Sequence, residues 1–180
     1  MDAFSSSDRS DAIDAVDALN DLVGDLIAGT RVLADYHQDF RNQSITEGQM
    51  SAVQKMCISH LALAFAKLLE FWEKYHDVVP DEHRTNLKAL NAELKARGAK
   101  EFRNTVAGHI WDRKLQRPLR NSKIMQMLEK LTGGKLVEFL NWINSVESEP
   151  SSNTVVGLVE AVRDSVVLRH DIRPHEVVER

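Results

Sequence analysis

The chain has 180 residues, of which 43% are hydrophobic and 28% charged, and a formal net charge of −4. This composition excludes a disordered chain, and the length suits one domain with a full hydrophobic core. The single cysteine, Cys57, excludes an internal disulfide framework and favours a reducing compartment. No signal peptide opens the sequence and no uncharged apolar stretch approaches about 18 residues, so we predict a cytoplasmic protein without a membrane segment.

The first predicted helix covers residues 10–29 and has one acidic side. Apolar residues recur along one side of it at steps of three or four. The opposite side carries four aspartates: Asp14, Asp17, Asp21 and Asp25. Residues 31–40 either continue this helix or begin another one.

A second helix is predicted from Thr46 to about Val78. Thr46 and Gln49 have the spacing of a capping box, and a broad apolar stripe follows them. At about 1.5 Å per residue this helix would be roughly 45 Å long and would form the spine of a bundle. Pro80, followed by two acidic residues, predicts the start of a third helix that ends near Gly98.

The remaining segments also favour helices. A fourth helix is expected from about Ala99 until Arg117-Pro118 breaks it, and two shorter ones over 122–131 and 135–146. Residues 155–168 are rich in valine, which leaves a strand as an alternative, although their spacing favours a helix.

No segment shows sustained alternation, and no hairpin turn signal occurs. The sequence therefore predicts an all-α, up-and-down bundle of about five to seven helices around a long central helix. We expect a single domain over residues 1–180, with loose tails at 1–8 and 170–180.

The charge is distributed unevenly. Residues 1–40 hold nine Asp and two Arg, a net of −7, whereas residues 84–123 hold eleven Lys or Arg against three acidic residues, a net of +8. The basic excess is either an electrostatic footprint for nucleic acid or a charge that the acidic region offsets within the fold or across a dimer.

A short motif lies inside the basic region. It consists of Arg103, Asn104, four further residues and then His109. In an all-helical chain this pattern resembles the signature of the HEPN superfamily, an Arg that is commonly followed by a polar residue and, several positions later, by a His. It looks most like the HEPN domains of bacterial phage-defence and toxin–antitoxin systems.

The resemblance implies a metal-independent endoribonuclease that needs no cofactor and acts as a homodimer, with two motifs meeting across a cleft. It implies a catalytic site of Arg103, Asn104 and His109, and RNA as the substrate. A separate antitoxin or regulatory protein is a further implied partner. The expected RNA-binding residues are basic neighbours of the motif: Lys100, Arg113, Lys114, Arg117 and Arg120.

The chemistry of these side chains suits that activity. Cleavage without a metal needs a base for the 2′-hydroxyl, an acid for the leaving 5′-oxygen, and a cation beside the phosphorane. Histidine can serve in either proton transfer near neutral pH, and arginine binds phosphate oxygens with a planar fork of donors. On a straight helix Arg103 and His109 would lie about 120° apart, so they converge only if the helix bends, for instance at Gly108, or if a symmetry mate supplies the second set.

Two other interpretations remain open at this stage. In the first, Arg103 pairs with a carboxylate such as Glu101 or one on an acidic helix, and His109 contacts carbonyls at a helix end. The chain would then be a non-catalytic dimerisation or interaction module. In the second, a HEPN-type site binds RNA without cleaving it.

Other residues with chemical potential are predicted to be structural. The Glu-x-x-His spacing of Glu73 and His76 occurs once, whereas a di-iron bundle needs it twice, so no metal site is predicted. His60 and Cys57 lie on the apolar stripe of the second helix, where we expect a hydrogen-bonded core histidine and a small core residue.

Overall fold

The computed structural model describes residues 6–107, 111–112, 117–145 and 153–178. Within these ranges eight α-helices make up most of the chain. They are α1 (Ser6–Arg41), α2 (Glu47–Tyr75), α3 (Asp81–Ala96), α4 (Ala99–Phe102), α5 (Asn121–Thr132), α6 (Leu136–Ile143), α7 (Val155–His170) and α8 (Pro174–Val178). A π-helical turn, Arg103–Ala107, follows α4, and two strands, β1 (Trp111–Asp112) and β2 (Arg117–Pro118), pair antiparallel. The predicted all-α class is confirmed.

The helices α1 and α2 form a long antiparallel pair at the centre of the fold. Asp25 of α1 contacts His60 and Lys67 of α2, and Gly29 lies against the side chain of Leu61. The helices α6 and α7 also pack against α1. In the core, the fully buried Phe65 of α2 lies edge-on to Phe139 of α6, with 6.0 Å between the ring centroids.

Three helix starts have clear physical causes. The Thr46 hydroxyl accepts a hydrogen bond from the Gln49 backbone N–H, and the Thr46 N–H donates to the Gln49 side chain at 2.8 Å, which completes the capping box and starts α2. Pro80 precedes the first residue of α3, as predicted. The hydroxyl of Thr154 accepts from the Gly157 N–H at 3.0 Å and starts α7, so residues 155–168 form a helix and not a strand.

Residues 31–40 continue α1 without a break. The hydroxyl of Thr30, which is fully buried, donates to the Leu26 carbonyl at 2.8 Å. The polar residue that could have ended the helix is thereby satisfied within it. As a result α1 has 36 residues and is longer than α2, which has 29. The bundle therefore contains two long helices where the sequence pattern predicts one long central helix.

Two of the predicted helices are wrong in extent. The fourth was expected to run through the motif, but α4 has only four residues before the π-helical turn and the short hairpin of β1 and β2. Strands of two residues are too short to produce an alternating pattern, which is why the sequence gives no sign of them. The sixth was expected over 135–146, but α6 ends at Ile143, and residue 146 lies outside the described residues.

The segments expected to be loose tails contain helical residues, because α1 begins at Ser6 and α8 covers Pro174–Val178. The Glu176 carboxylate accepts hydrogen bonds from both terminal nitrogens of Arg9, at 2.6 and 2.9 Å, and from the Arg173 backbone N–H at 2.7 Å. Ile172, just before α8, is buried in the core. An ion pair between the two ends of the chain therefore holds α8 against α1.

Among the described residues one helix, α2, is long and apolar enough to cross a membrane by length and composition alone. The core helix of a soluble bundle meets the same criterion, and half of the most apolar window of α2 is buried inside the fold. The expectation of no membrane segment stays a prediction.

Two glycines of α1 should respond in opposite ways to alanine. A Cβ at Gly29 would lie 2.8 Å from the Leu61 side chain, which is fully buried, whereas a Cβ at Gly24 would meet nothing within 4 Å. We expect Gly29→Ala to lower the free energy of unfolding by about 1–3 kcal/mol through overpacking. Gly24→Ala should raise it by up to about 1 kcal/mol, because alanine is the better helix former. Urea unfolding of both variants measures the difference, and equal effects would contradict the close approach at Gly29.

The docking of α8 should weaken in acid. The hydrogen bonds from Arg9 and Arg173 lower the pKa of Glu176 to about 2 from an ordinary value of 4.5. Because the pKa is lowered in the folded state, the stabilisation is complete above pH 4.5 and is lost as the pH falls toward 2. In Glu176→Gln the free energy of unfolding should therefore fall less steeply as the pH is lowered than in the wild type. Arg9→Gln should reduce the same slope. Urea midpoints between about pH 5 and pH 2.5 test this, and an unchanged slope in both variants would contradict it.

Candidate functional site

The backbone changes its helical form at the first residue of the motif. Gly98, with φ of +75°, turns the chain out of α3, and the buried ring of Phe102 anchors α4 to the core. At Arg103 the α-helix gives way to the π-helical turn Arg103–Ala107. Single π-helical turns are rare and occur frequently at functional sites. The straight α-helix assumed for the motif is therefore not present.

Arg103 is held by two acceptors. Its Nη1 donates to Oε1 of Glu70 on α2 at 2.6 Å, and its Nε donates to Oδ1 of Asn104 at 3.1 Å. The Arg103 side chain is 28% exposed and that of Glu70 is 54% exposed. Among the described residues no hydrogen bond uses Nη2 of Arg103, so the donors of this nitrogen have no protein partner there.

The carboxylate that pairs with Arg103 was not predicted. Glu101, the suggested partner, lies 3.7 Å from Lys130 of α5 instead, and Glu70 belongs to the apolar helix α2 and not to the acidic α1. Glu70 precedes Arg103 by 33 residues, and no spacing in the sequence links the two. Only the packing of the π-helical turn against α2 brings them together.

The structure describes only some of the other predicted site residues. His109, Arg113 and Lys114 lie outside the described residues, so the distance between Arg103 and His109 is not part of this structure. Arg117 lies in β2, where its backbone is in register with Asp112 of β1. Two remaining basic residues are exposed: Lys100 in α4 and Arg120 just before α5.

Two lysines of α2 interact with acids of helix α1. Lys67 donates to the Asp25 carboxylate at 2.7 Å. The pKa of Lys74 is raised by Tyr75, whose ring lies under its ammonium group, and further by the charges of Asp14 and Asp11. At these positions the partners of the α1 acids do not come from the basic region 84–123. In that region Arg97 pairs with Glu93 at 2.8 Å, and Arg103 pairs with Glu70 at 2.6 Å.

A small cavity of about 240 Å³ lies between α1 and α2 beside the site. Its floor is largely apolar, and its rim carries charges of both signs. The lining residues are Ala18, Asp21, Leu22, Lys67, Glu70, Phe71, Lys74 and Tyr75. Glu70 therefore belongs both to this cavity and to the ion pair with Arg103.

The residues expected to be structural behave mostly as predicted. Cys57 is buried in the core, and burial raises the pKa of its thiol. His60 is hydrogen-bonded, with Nε2 at 3.1 Å from the Asp25 carbonyl, but its side chain is 41% exposed, so the predicted core location is wrong. In the described part of the chain no group of three His, Cys, Asp or Glu residues is arranged to hold a metal ion.

Comparison with known proteins defines the fold. No protein-family model and no curated protein matches the chain. Among solved structures it is similar to the integron cassette protein Vpc_cass2 from the mobile metagenome of V. paracholerae, with a TM-score of 0.75 and 23% sequence identity. The match covers 92% of this chain and 99% of that one, which shows a shared all-α bundle and, at this identity, the fold alone.

The ion pair between Arg103 and Glu70 should contribute little to stability. Both side chains are partly exposed, and exposed ion pairs are worth about 1 kcal/mol or less. A double-mutant cycle with Arg103→Gln and Glu70→Gln, measured by urea unfolding, should give a coupling energy below about 1 kcal/mol. A coupling above roughly 2 kcal/mol would show that the pair serves chiefly to hold the π-helical turn on α2.

Proposed function

We propose that this protein is a HEPN-like, RNA-directed protein that cleaves RNA without a metal ion and acts as a homodimer in a bacterial defence or toxin–antitoxin system. The observation that supports this most is the state of Arg103. It lies at the start of a π-helical turn, is oriented by Glu70 and Asn104, and keeps donors at Nη2 available.

Arg103 suits the binding of a scissile phosphate. A guanidinium held by two acceptors has a fixed plane, and its free donors then point in one direction without a further loss of side-chain entropy. Such a preorganised cation stabilises the charge that develops on the phosphorane in the transition state. Glu70 and Asn104 act in this proposal as residues that position Arg103.

His109 provides the proton transfers. As a base it takes the proton of the 2′-hydroxyl, whose oxygen attacks the adjacent phosphorus while the bond to the 5′-oxygen breaks. The leaving 5′-oxygen receives a proton either from His109 itself, once it holds the 2′-hydroxyl proton, or from the protonated His109 of the second copy. The products are a 2′,3′-cyclic phosphate and a free 5′-hydroxyl, and the atoms balance without a metal or a cofactor.

The basic region supports the approach of RNA. The exposed residues Lys100 and Arg120 flank the π-helical turn along the chain, and in the contacts described above the acids of α1 interact with Lys67 and Lys74 of α2 and not with these two residues. We assign the same phosphate-binding role to Arg113, Lys114 and Arg117. A cytoplasmic location and a separate antitoxin or regulatory protein complete the proposal.

The second candidate function is a non-catalytic helical interaction module that binds a protein partner, or RNA without cleavage. The ion pair between Arg103 and Glu70 favours it, because this pair already satisfies much of the arginine charge within one chain. In this alternative the motif is a structural junction between α2 and the π-helical turn.

Cleavage assays distinguish the two functions. The wild type should cleave single-stranded RNA in EDTA, and His109→Ala should lose about 100-fold or more of that rate, as expected for removal of a general acid or base. Arg103→Ala should lose a comparable factor through the phosphate contact. The matched controls are His37→Ala on α1 and Lys88→Ala on α3, which should cleave like the wild type.

The outcomes separate clearly. Absence of cleavage across several RNAs, with a dimer still present, would favour the interaction module. Binding of RNA that weakens with rising salt, without any cleavage, would identify a HEPN-type site that binds only. Equal loss of activity in His37→Ala would contradict the assignment of His109.

A further inference from the structure

Exposed apolar side chains are concentrated at one end of the pair formed by α1 and α2. The described residues expose eight large hydrophobic side chains, and five of them belong to this end. They are Val32, Tyr36 and Phe40 of α1 and Met56 and Leu63 of α2, between 38% and 60% exposed. We call these five side chains the hairpin face. A concentration of this kind is typical of an interaction surface, since single exposed apolar residues are normally scattered.

The five side chains share one surface. Val32, Tyr36 and Phe40 are spaced by four residues on α1, and Met56 and Leu63 are two turns apart on α2. His60, which lies between Met56 and Leu63 on α2, contacts the carbonyl of Asp25 on α1, seven residues before Val32. The exposed side chains of α1 and those of α2 therefore lie on either side of the same groove between the two helices.

Opposite charges flank the hairpin face. Asp35 and Asp39 lie along its α1 edge, with Arg31 one turn before Asp35, and Lys55 lies along its α2 edge; all four are exposed. Within the described ranges none of them forms an ion pair. Residues 31–60 hold three basic and three acidic side chains, Arg31, Arg41 and Lys55 against Asp35, Asp39 and Glu47, so this end carries no net charge.

Asp35 and Lys55 lie at the same level of the helix pair. Gly29 packs against Leu61, which fixes the antiparallel register. Asp35 is six residues beyond Gly29 and Lys55 is six residues before Leu61, and both helices rise equally per residue. Asp35 and Lys55 therefore lie at opposite edges of the hairpin face, at the same height along the helices.

We propose that the hairpin face binds the hairpin face of a second copy of this chain, about a twofold axis that runs parallel to the helices. This axis places α1 of one copy on α2 of the other, so that Asp35 meets Lys55 of the partner subunit and the same contact forms twice. A twofold axis across the helices would instead place α1 on α1 and acid against acid. The neutral charge of this end permits two copies to approach, and the apolar stripes are buried between them.

The member of the hairpin face nearest to the Arg103 site along α2 is Leu63, seven residues before Glu70 and about 10 Å from it along the helix axis. None of the five side chains of the face belongs to the contacts of Arg103. The inference therefore stands on the exposed face and its charges and does not rest on RNA cleavage. Failure of the cleavage assay leaves it untouched, and a change in association state tests it directly.

Sedimentation equilibrium over a range of protein concentrations tests the proposal. The wild type should form a dimer, and Met56→Glu and Leu63→Glu should each raise its dissociation constant about tenfold or more by placing a charge in an apolar contact. Leu168→Glu on α7, where the leucine is 81% exposed, is the matched control and should leave the constant unchanged. Circular dichroism verifies that each variant is folded.

A charge exchange tests the direction of the axis. Asp35→Lys and Lys55→Asp should each weaken the dimer, and a chain with both substitutions should recover most of the wild-type affinity, because both contacts are then restored with reversed signs. A wild type that stays monomeric at every concentration overturns the proposal. A dimer whose dissociation constant is unchanged in Met56→Glu also overturns it. The proposal likewise fails if Asp35→Lys and Lys55→Asp each weaken the dimer and the chain with both substitutions does not recover the affinity.

Discussion

The close packing of α1 against α2 is the contact on which the rest of this structure depends. Gly29 permits the helices to approach so closely that a single added carbon would clash with Leu61. The same pair supplies the surfaces on which α6 and α7 pack, and it leaves Glu70 at an exposed position where the π-helical turn can reach it. A fold organised in this way uses one antiparallel pair for the core, for the candidate site and for the exposed hairpin face.

The candidate site combines a local and a remote element. Asn104 follows Arg103 directly, whereas Glu70 comes from a helix that packs beside it. A partly exposed ion pair contributes little to stability, so the fold gains little from fixing Arg103 there. The fixed orientation has a chemical consequence instead, since an arginine with one end held and one end available can bind an oxyanion at a defined position.

The sequence predicts those parts of the fold that depend on neighbouring residues. The capping box at Thr46 and the proline at Pro80 each act within one helical turn, and each marks a helix start correctly. The helix α8 depends on the contact between Arg9 and Glu176, which are 167 residues apart, and the partner of Arg103 depends on tertiary packing. Hydrophobic periodicity carries no information about such pairs, so neither could be predicted.

Under the proposed function, the uneven charge of the chain would restrict the path by which RNA reaches Arg103. The acids of α1 border one side of α2, and Asp21 lines the cavity beside Glu70, so a phosphate backbone that crossed α1 would meet repulsion. On the other side of the site are Lys100 of α4 and Lys130 of α5, both exposed, with Arg120 at the start of α5. Electrostatic steering therefore favours a path over α4 and α5. On that proposed path the RNA backbone would approach Arg103 from the side away from α1.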